Sequence, residues 1–155
     1  MSATRPVHDA VLPEGAKPRP GPPPDPELDP YFAAAAEGRL VVQRCADGHT
    51  QLYPRPHCIV CRKPVEWVDA SGWATVYSFT VIRQSYTRAF RHLLPLVVAL
   101  VDLDEGPRLM TNLVHVGPED VEVGMRVEVW FERVGDAAAL ALFTPAMTTD
   151  PTGAA

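Results

Sequence analysis

The reading of the chain turns on residues 45–61, CADGHTQLYPRPHCIVC. Cys58-Ile59-Val60-Cys61 is a C-x-x-C, a spacing whose turn aims two sulfurs at one point. Eight residues separate Cys58 from His49, and His49 follows Cys45 by four positions. Zinc takes four Cys or His ligands in a tetrahedron, and Cys45 with His49 supplies a second pair across an intervening turn. The resulting Cys3His set leaves no open position, so the zinc is expected to be structural, stapling a loop-rich module that lacks its own core. His57 could be the fourth ligand in place of His49, but it adjoins Cys58, and adjacent residues bind one metal with difficulty. The same cysteines could also form a ribbon without metal, or a redox C-x-x-C. The redox motif belongs at a helix start in a βαβ context, whereas Cys61 is followed by Arg62-Lys63-Pro64.

On the N-terminal side, Leu40–Arg44 is short and β-branched and reads as a strand leading into Cys45. Before it, Tyr31-Phe32-Ala33-Ala34-Ala35-Ala36-Glu37 favours a short helix, with Asp29 as N-cap, Pro30 in the first position and Gly38 ending it. Residues 1–24 have no periodicity and are expected to be a disordered, polyproline-like arm. Of 17 prolines in the chain, nine lie in the first 30 positions, so the excess belongs to this end.

On the C-terminal side the composition changes near residue 69. Trp73–Ile82, Leu96–Leu103, Leu109–Val116, Arg126–Glu132 and Ala138–Phe143 read as five strands. Asp104-Glu105-Gly106-Pro107 is a hairpin turn between the second and third, and Pro118-Glu119-Asp120 starts one helical turn before the fourth. Five strands with that connectivity predict a small closed Greek-key barrel, of which the OB-fold is the commonest kind. The chain is thus expected to be mainly β: an arm over 1–24, a short helix with a rubredoxin-like zinc ribbon over 25–68, an OB-fold barrel over 69–147 and a flexible tail over 148–155.

The whole chain has 155 residues, 46% apolar and 21% charged, which is globular composition with room for a real core. Its net charge of −5 makes it a poor non-specific ligand for nucleic acid. No apolar run reaches the roughly 18 residues of a membrane span. The N-terminus shows no apolar h-region, and three cysteines do not make a secreted disulfide framework, so a cytoplasmic protein is expected.

One connection stands out against the negative charge. Residues 83–92, RQSYTRAFRH, join the first two barrel strands and gather Arg83, Arg88, Arg91 and His92 with Tyr86 and Phe90. Long barrel loops commonly carry binding function. This one suits the phosphates of an anionic ligand, with an aromatic ring for stacking, or an acidic face of a partner; it could equally be a plain solvated connection. Tyr77, Phe79, Trp130 and Phe131 alternate along strands and are expected in the core and barrel wall. Neither a Ser/His/Asp arrangement nor a pair of working carboxylates can be argued from the spacing.

Several stretches together resemble a known family. They are Tyr31-Phe32, Glu37-Gly38-Arg39-Leu40, Gln43-Arg44-Cys45, Tyr53-Pro54-Arg55-Pro56-His57-Cys58, Cys61, Glu66-Trp67-Val68, Ser71-Gly72, Thr75–Val81, Pro95–Val101 and Val123–Val127. In order and spacing they resemble the bacterial and archaeal zinc-ribbon plus OB-fold proteins catalogued as domain of unknown function thirty-five. The resemblance runs from Asp29 to Pro145. It departs from the family's C-x-x-C-G at the first knuckle, where Ala46-Asp47-Gly48-His49 follows Cys45, and has Ala74 where a glycine is usual. Members are acyl-CoA-associated and accompany thiolase-fold or lipid-transfer-type enzymes. The resemblance therefore implies a non-catalytic accessory subunit that binds such a partner and helps position acyl-CoA, for condensation, acyl-transfer or retro-aldol chemistry on lipid or steroid side chains. A nucleic-acid-binding module is the second reading, and an autonomous hydrolase or redox protein using Cys58 and Cys61 ranks last.

Overall fold

The computed structural model describes residues 4–147; the expected flexible tail lies outside them. In chain order the elements are β1 (Val7–His8), α1 (Asp29–Ala36), β2 (Val41–Cys45), β3 (Thr50–Gln51), β4 (Val65–Asp69), β5 (Trp73–Ile82), the single turn α2 (Arg88–Arg91), β6 (Leu96–Leu103) and β7 (Arg108–Leu113). A 3-10 turn at Pro118–Asp120, β8 (Arg126–Val134) and β9 (Ala138–Pro145) complete them.

Strands β5 to β9 form the barrel. β5, β6 and β7 pair antiparallel in sequence order, β9 lies between β7 and β8, and β8 returns to β5. This is the five-stranded OB-fold. The β6–β7 hairpin turns at Gly106, whose φ of 107° lies where side chains are strained, and the Gly106 N–H donates to the Leu103 carbonyl at 2.8 Å. Inward positions follow the period of two. Ala74 and Val76 on β5, Ala99 and Val101 on β6, Val127 and Phe131 on β8, and Phe143 on β9 are all buried to 1% exposure or less. β-branched side chains at these positions fill the barrel and satisfy the strand geometry together.

The third strand ends earlier than expected, at Leu113, because Val114 leaves the hairpin to bond the Phe143 carbonyl and His115 turns to a positive φ of 57°. The fourth and fifth run two residues longer than expected. Tyr77 is half exposed rather than in the core, since a bulge between Val76 and Ser78 turns it outward.

A second, three-stranded sheet has the order β3-β2-β4. Its strands β3 and β4 were not apparent as strands in the sequence; β3 is two residues long. The sheet is fixed to the barrel hairpin, where Thr50 donates its hydroxyl to the Glu105 carbonyl at 2.6 Å and Glu105 accepts the Ser71 N–H at 2.6 Å. Helix α1 buries Ala34 and Ala35 and packs on the outer face of β9. The cap position is Leu28, one residue before the expected Asp29, whose carboxylate instead accepts the Asp25 N–H.

The arm expected to be disordered is fixed to the barrel at residues 5–9 and again at Arg19, with an exposed stretch between them. Val7 and His8 pair parallel with Phe131 and Glu132 of β8, beyond the point where β5 stops pairing with β8. Arg5 forms an ion pair with Glu128, and its N–H donates to the Gly38 carbonyl at 2.9 Å. His8 stacks on Trp130 at 3.5 Å. Arg19, 7% exposed, reaches Glu132 at 3.0 Å and Asn112 at 2.9 Å. Isolated long side chains anchor this segment, and such anchors leave no periodic pattern to read.

Candidate metal centre

Strand β2 delivers Cys45 to the tip of the three-stranded sheet. There the Gly48 N–H donates to the Cys45 carbonyl at 2.9 Å and the Cys45 N–H to the His49 carbonyl at 3.0 Å. This tight turn brings His49 back over Cys45. The second knuckle is closed the same way: the Arg62 N–H donates to the Cys58 carbonyl at 3.0 Å, and the Cys58 N–H to the Lys63 carbonyl at 2.9 Å.

The donor atoms of Cys45, His49, Cys58 and Cys61 all lie within 4.8 Å of one another. His49 Nδ1 stands 3.4 Å from Cys45 Sγ and 3.8 Å from Cys58 Sγ, and Cys61 Sγ stands 3.6 Å from Cys45 Sγ. Bond lengths of ~2.3 Å to sulfur and ~2.1 Å to nitrogen give tetrahedron edges of about 3.8 Å and 3.6 Å. The donor set thus has the size and chemistry of a zinc tetrahedron. His57 is not among the clustered donors; its carbonyl accepts from Gln51, and it bridges to Pro64.

Electrostatics act oppositely on the two C-x-x-C sulfurs: against the Lys63 backbone N–H, which lowers it, burial and the neighbouring Cys45 and Cys58 thiols push the Cys61 thiol up to about 11. Backbone N–H groups of Cys61 and Val60, with the neighbouring thiols, pull the Cys58 thiol down to about 6 despite its burial. Lys63 bonds Asp47 at 2.6 Å across the two knuckles and holds that carboxyl below its ordinary range. With four protein ligands the zinc is structural: it ties the two knuckles together and offers no site to a substrate.

Two supporting residues escape sequence reasoning. Gln43 and Gln51 are buried behind the site and joined at 2.8 Å. Gln43 Oε1 accepts the Arg55 N–H, and Gln51 Oε1 accepts the Ile59 N–H at 2.9 Å, so the pair positions the loop that carries Cys58. The only signal in the sequence is a glutamine inside a β-branched strand.

The basic connection lies apart from the metal ligands, at the end of β5 and β6. Arg83, Arg88 and Arg91 are exposed, Tyr86 is 95% exposed, and Phe90 and His92 are half-buried. Arg91 donates to the carbonyls of Ser85 and Tyr86 at 3.4 Å. None of the three arginines has an ion pair among the described residues.

A family model for the rubredoxin-like zinc ribbon domain of ChsH2 matches residues 32–66, and one for the C-terminal OB-fold domain of ChsH2 matches residues 67–132. A DUF35 domain-containing scaffold protein of Methanocaldococcus jannaschii is 35% identical over 98 residues, which are 61% of this chain and 69% of that one. The chain belongs to the DUF35 family. A probable enoyl-CoA hydratase alpha subunit of Thermomonospora curvata is 40% identical over 119 residues, 76% of this chain. The match spans 37% of that relative's own length. Among solved structures, a chain of the Ltp2-ChsH2(DUF35) aldolase superposes with a TM-score of 0.74 at 37% identity, covering 82% of this chain and 100% of that one. The two family models meet at residues 66–67, inside strand β4.

Proposed function

We propose that this DUF35 chain is a non-catalytic accessory subunit of an acyl-CoA enzyme complex. The observation that carries the reading is the match to a chain of the Ltp2-ChsH2(DUF35) aldolase, over 82% of this chain and 100% of that one. The closed Cys3His set agrees with it, because a metal with four protein ligands is a staple and not a reagent. In this reading the partner is a thiolase-fold or lipid-transfer-type subunit that carries the reacting groups. The complex acts by retro-aldol, condensation or acyl-transfer chemistry on lipid or steroid side chains held as CoA thioesters. It works in the cytoplasm, where the thiol ligands stay reduced.

Arg83, Arg88 and Arg91, with Tyr86, Phe90 and His92, form the contact to acyl-CoA or to the partner. The support is the exposure of the three arginines and Tyr86, and the arginines' lack of ion pairs among the described residues in a chain of net charge −5. Affinity purification of the tagged chain from its native host tests the reading. Recovery of an acyl-CoA aldolase or thiolase subunit in fixed stoichiometry is expected; recovery of none, at native expression, contradicts it.

A further inference from the structure

Cross-strand register puts Val98 opposite Thr80 and Asn112, and Leu100 opposite Ser78 and Met110, on the outer face of β5, β6 and β7. The inner face is given by Val97, Ala99 and Val101, each 2% exposed or less. The outer face is therefore the one that meets solvent, yet its centre is apolar. Met110 is 62% exposed and Tyr77 50%, with Leu100 and Val98 half-buried between them. By contrast, the outer face of β9 is covered by α1. Past Met110 the uncovered face continues into an apolar groove of about 260 Å³ between α1, the 52–54 loop and strands β7 and β9. Tyr53, whose hydroxyl accepts the Met110 N–H at 3.1 Å, borders both.

The two ends of this face differ in charge. At one end Arg108 lies over the Tyr77 ring at 3.2 Å and is neutralised by Asp102 through bonds of 2.7 and 3.1 Å. At the other, Ile82 leads directly into the connection that holds Arg83, Arg88 and Arg91, which have no carboxylate within ion-pair distance among the described residues. An exposed apolar patch with a charged rim is the signature of a protein contact.

We infer that the outer face of β5–β6–β7, from Met110 to the arginines of the 83–91 connection, is the docking surface for the enzyme subunit, which presents an apolar ridge flanked by carboxylates. The occupant follows from charge complementarity: the unpaired cations call for an acidic rim. A second copy of a chain with net charge −5 would be repelled as a whole. This inference rests on the accessory-subunit reading and names its contact.

The test uses the full chain and the acyl-CoA enzyme subunit that co-purifies with it, titrated at low and high salt. Met110→Glu is expected to weaken the complex about tenfold or more, since a buried unpaired carboxylate would sit at the centre of the contact. Arg88→Glu with Arg91→Glu is expected to weaken it comparably and to flatten its salt dependence. Val11→Glu, at a 94% exposed position of the N-terminal arm, should bind as wild type. Hydrogen exchange of the wild-type complex reads the same face without substitution, and slower exchange in β6, β7 and residues 83–92 is expected. If the wild type binds the subunit and the variants bind equally well, or if protection falls elsewhere, the face is wrong while the accessory reading stands. If the wild type binds no such subunit, both fall. A wild-type dimer that Met110→Glu splits would overturn the proposal in favour of a second copy.

Discussion

Neither the zinc ribbon nor the N-terminal arm has a hydrophobic core separate from the barrel's, to which the ribbon adds Leu40 and Val42, and the two are held in place by opposite means. The ribbon converges four donors on one point, so each ligand's identity is dictated by metal chemistry. The arm spreads its anchors along 4–24: Arg5 on Glu128, His8 on Trp130, and Arg19 on Glu132 and Asn112. Each anchor is one long side chain making polar or stacking contacts on the barrel. The difference teaches that a segment without periodicity is not thereby disordered. It is held when its few long side chains find partners on the barrel.

The comparison also explains what could be read in advance. Cys45, His49, Cys58 and Cys61 are legible because few residue types bind zinc and their spacing is restricted. Trp73–Ile82 and Leu96–Leu103 are legible because β-branched runs bounded by turn residues have few other uses, and the structure keeps both sets of bounds. Arg19 is illegible because its meaning depends on Glu132, more than a hundred residues away. Gln43 and Gln51 are illegible for the same reason at shorter range: the amide pair exists only once β2 and β3 have paired. The bulge that exposes Tyr77 has no local signal, since Tyr77 fits the alternating pattern of its strand.

The sharpest way to break the comparison is to remove a donor. Cys58→Ser should drop the zinc content from about one per chain toward none and lower the melting temperature by about 10 °C or more, because metal binding is coupled to folding of the ribbon. Chelation of the wild type should reproduce the effect. Metal-free protein with an unchanged melting curve would remove the staple.

A smaller effect is expected in the arm. Arg19→Ala leaves the half-buried Glu132 carboxylate without its partner and should cost about 2–3 kcal/mol, read by denaturant unfolding, with zinc retained. An unchanged midpoint would mean that the arm contributes nothing to stability.

Smaller again is Gly38→Ala. Its φ is 76°, and an added Cβ would lie 2.0 Å from the Arg5 carbonyl oxygen. The variant should lose about 1–2 kcal/mol and lift the arm from the ribbon, seen as faster proteolysis within 4–24 at unchanged zinc content. The smallest change is expected for Lys63→Ala. It removes an exposed pair with Asp47 beside the metal and should leave zinc content and melting temperature as in the wild type. A large loss there would show that the knuckles depend on surface charge rather than on the metal.

The central claim, that the chain assists chemistry without performing it, is tested most directly by acyl-CoA turnover in a three-way reconstitution. The chain alone, the co-purifying enzyme subunit alone and the two together are assayed on the same CoA thioester. The account predicts no turnover by the chain at any concentration, and turnover in the complex above that of the enzyme subunit alone. Turnover by the chain alone, or an enzyme subunit whose activity and stability are indifferent to the chain, would contradict it.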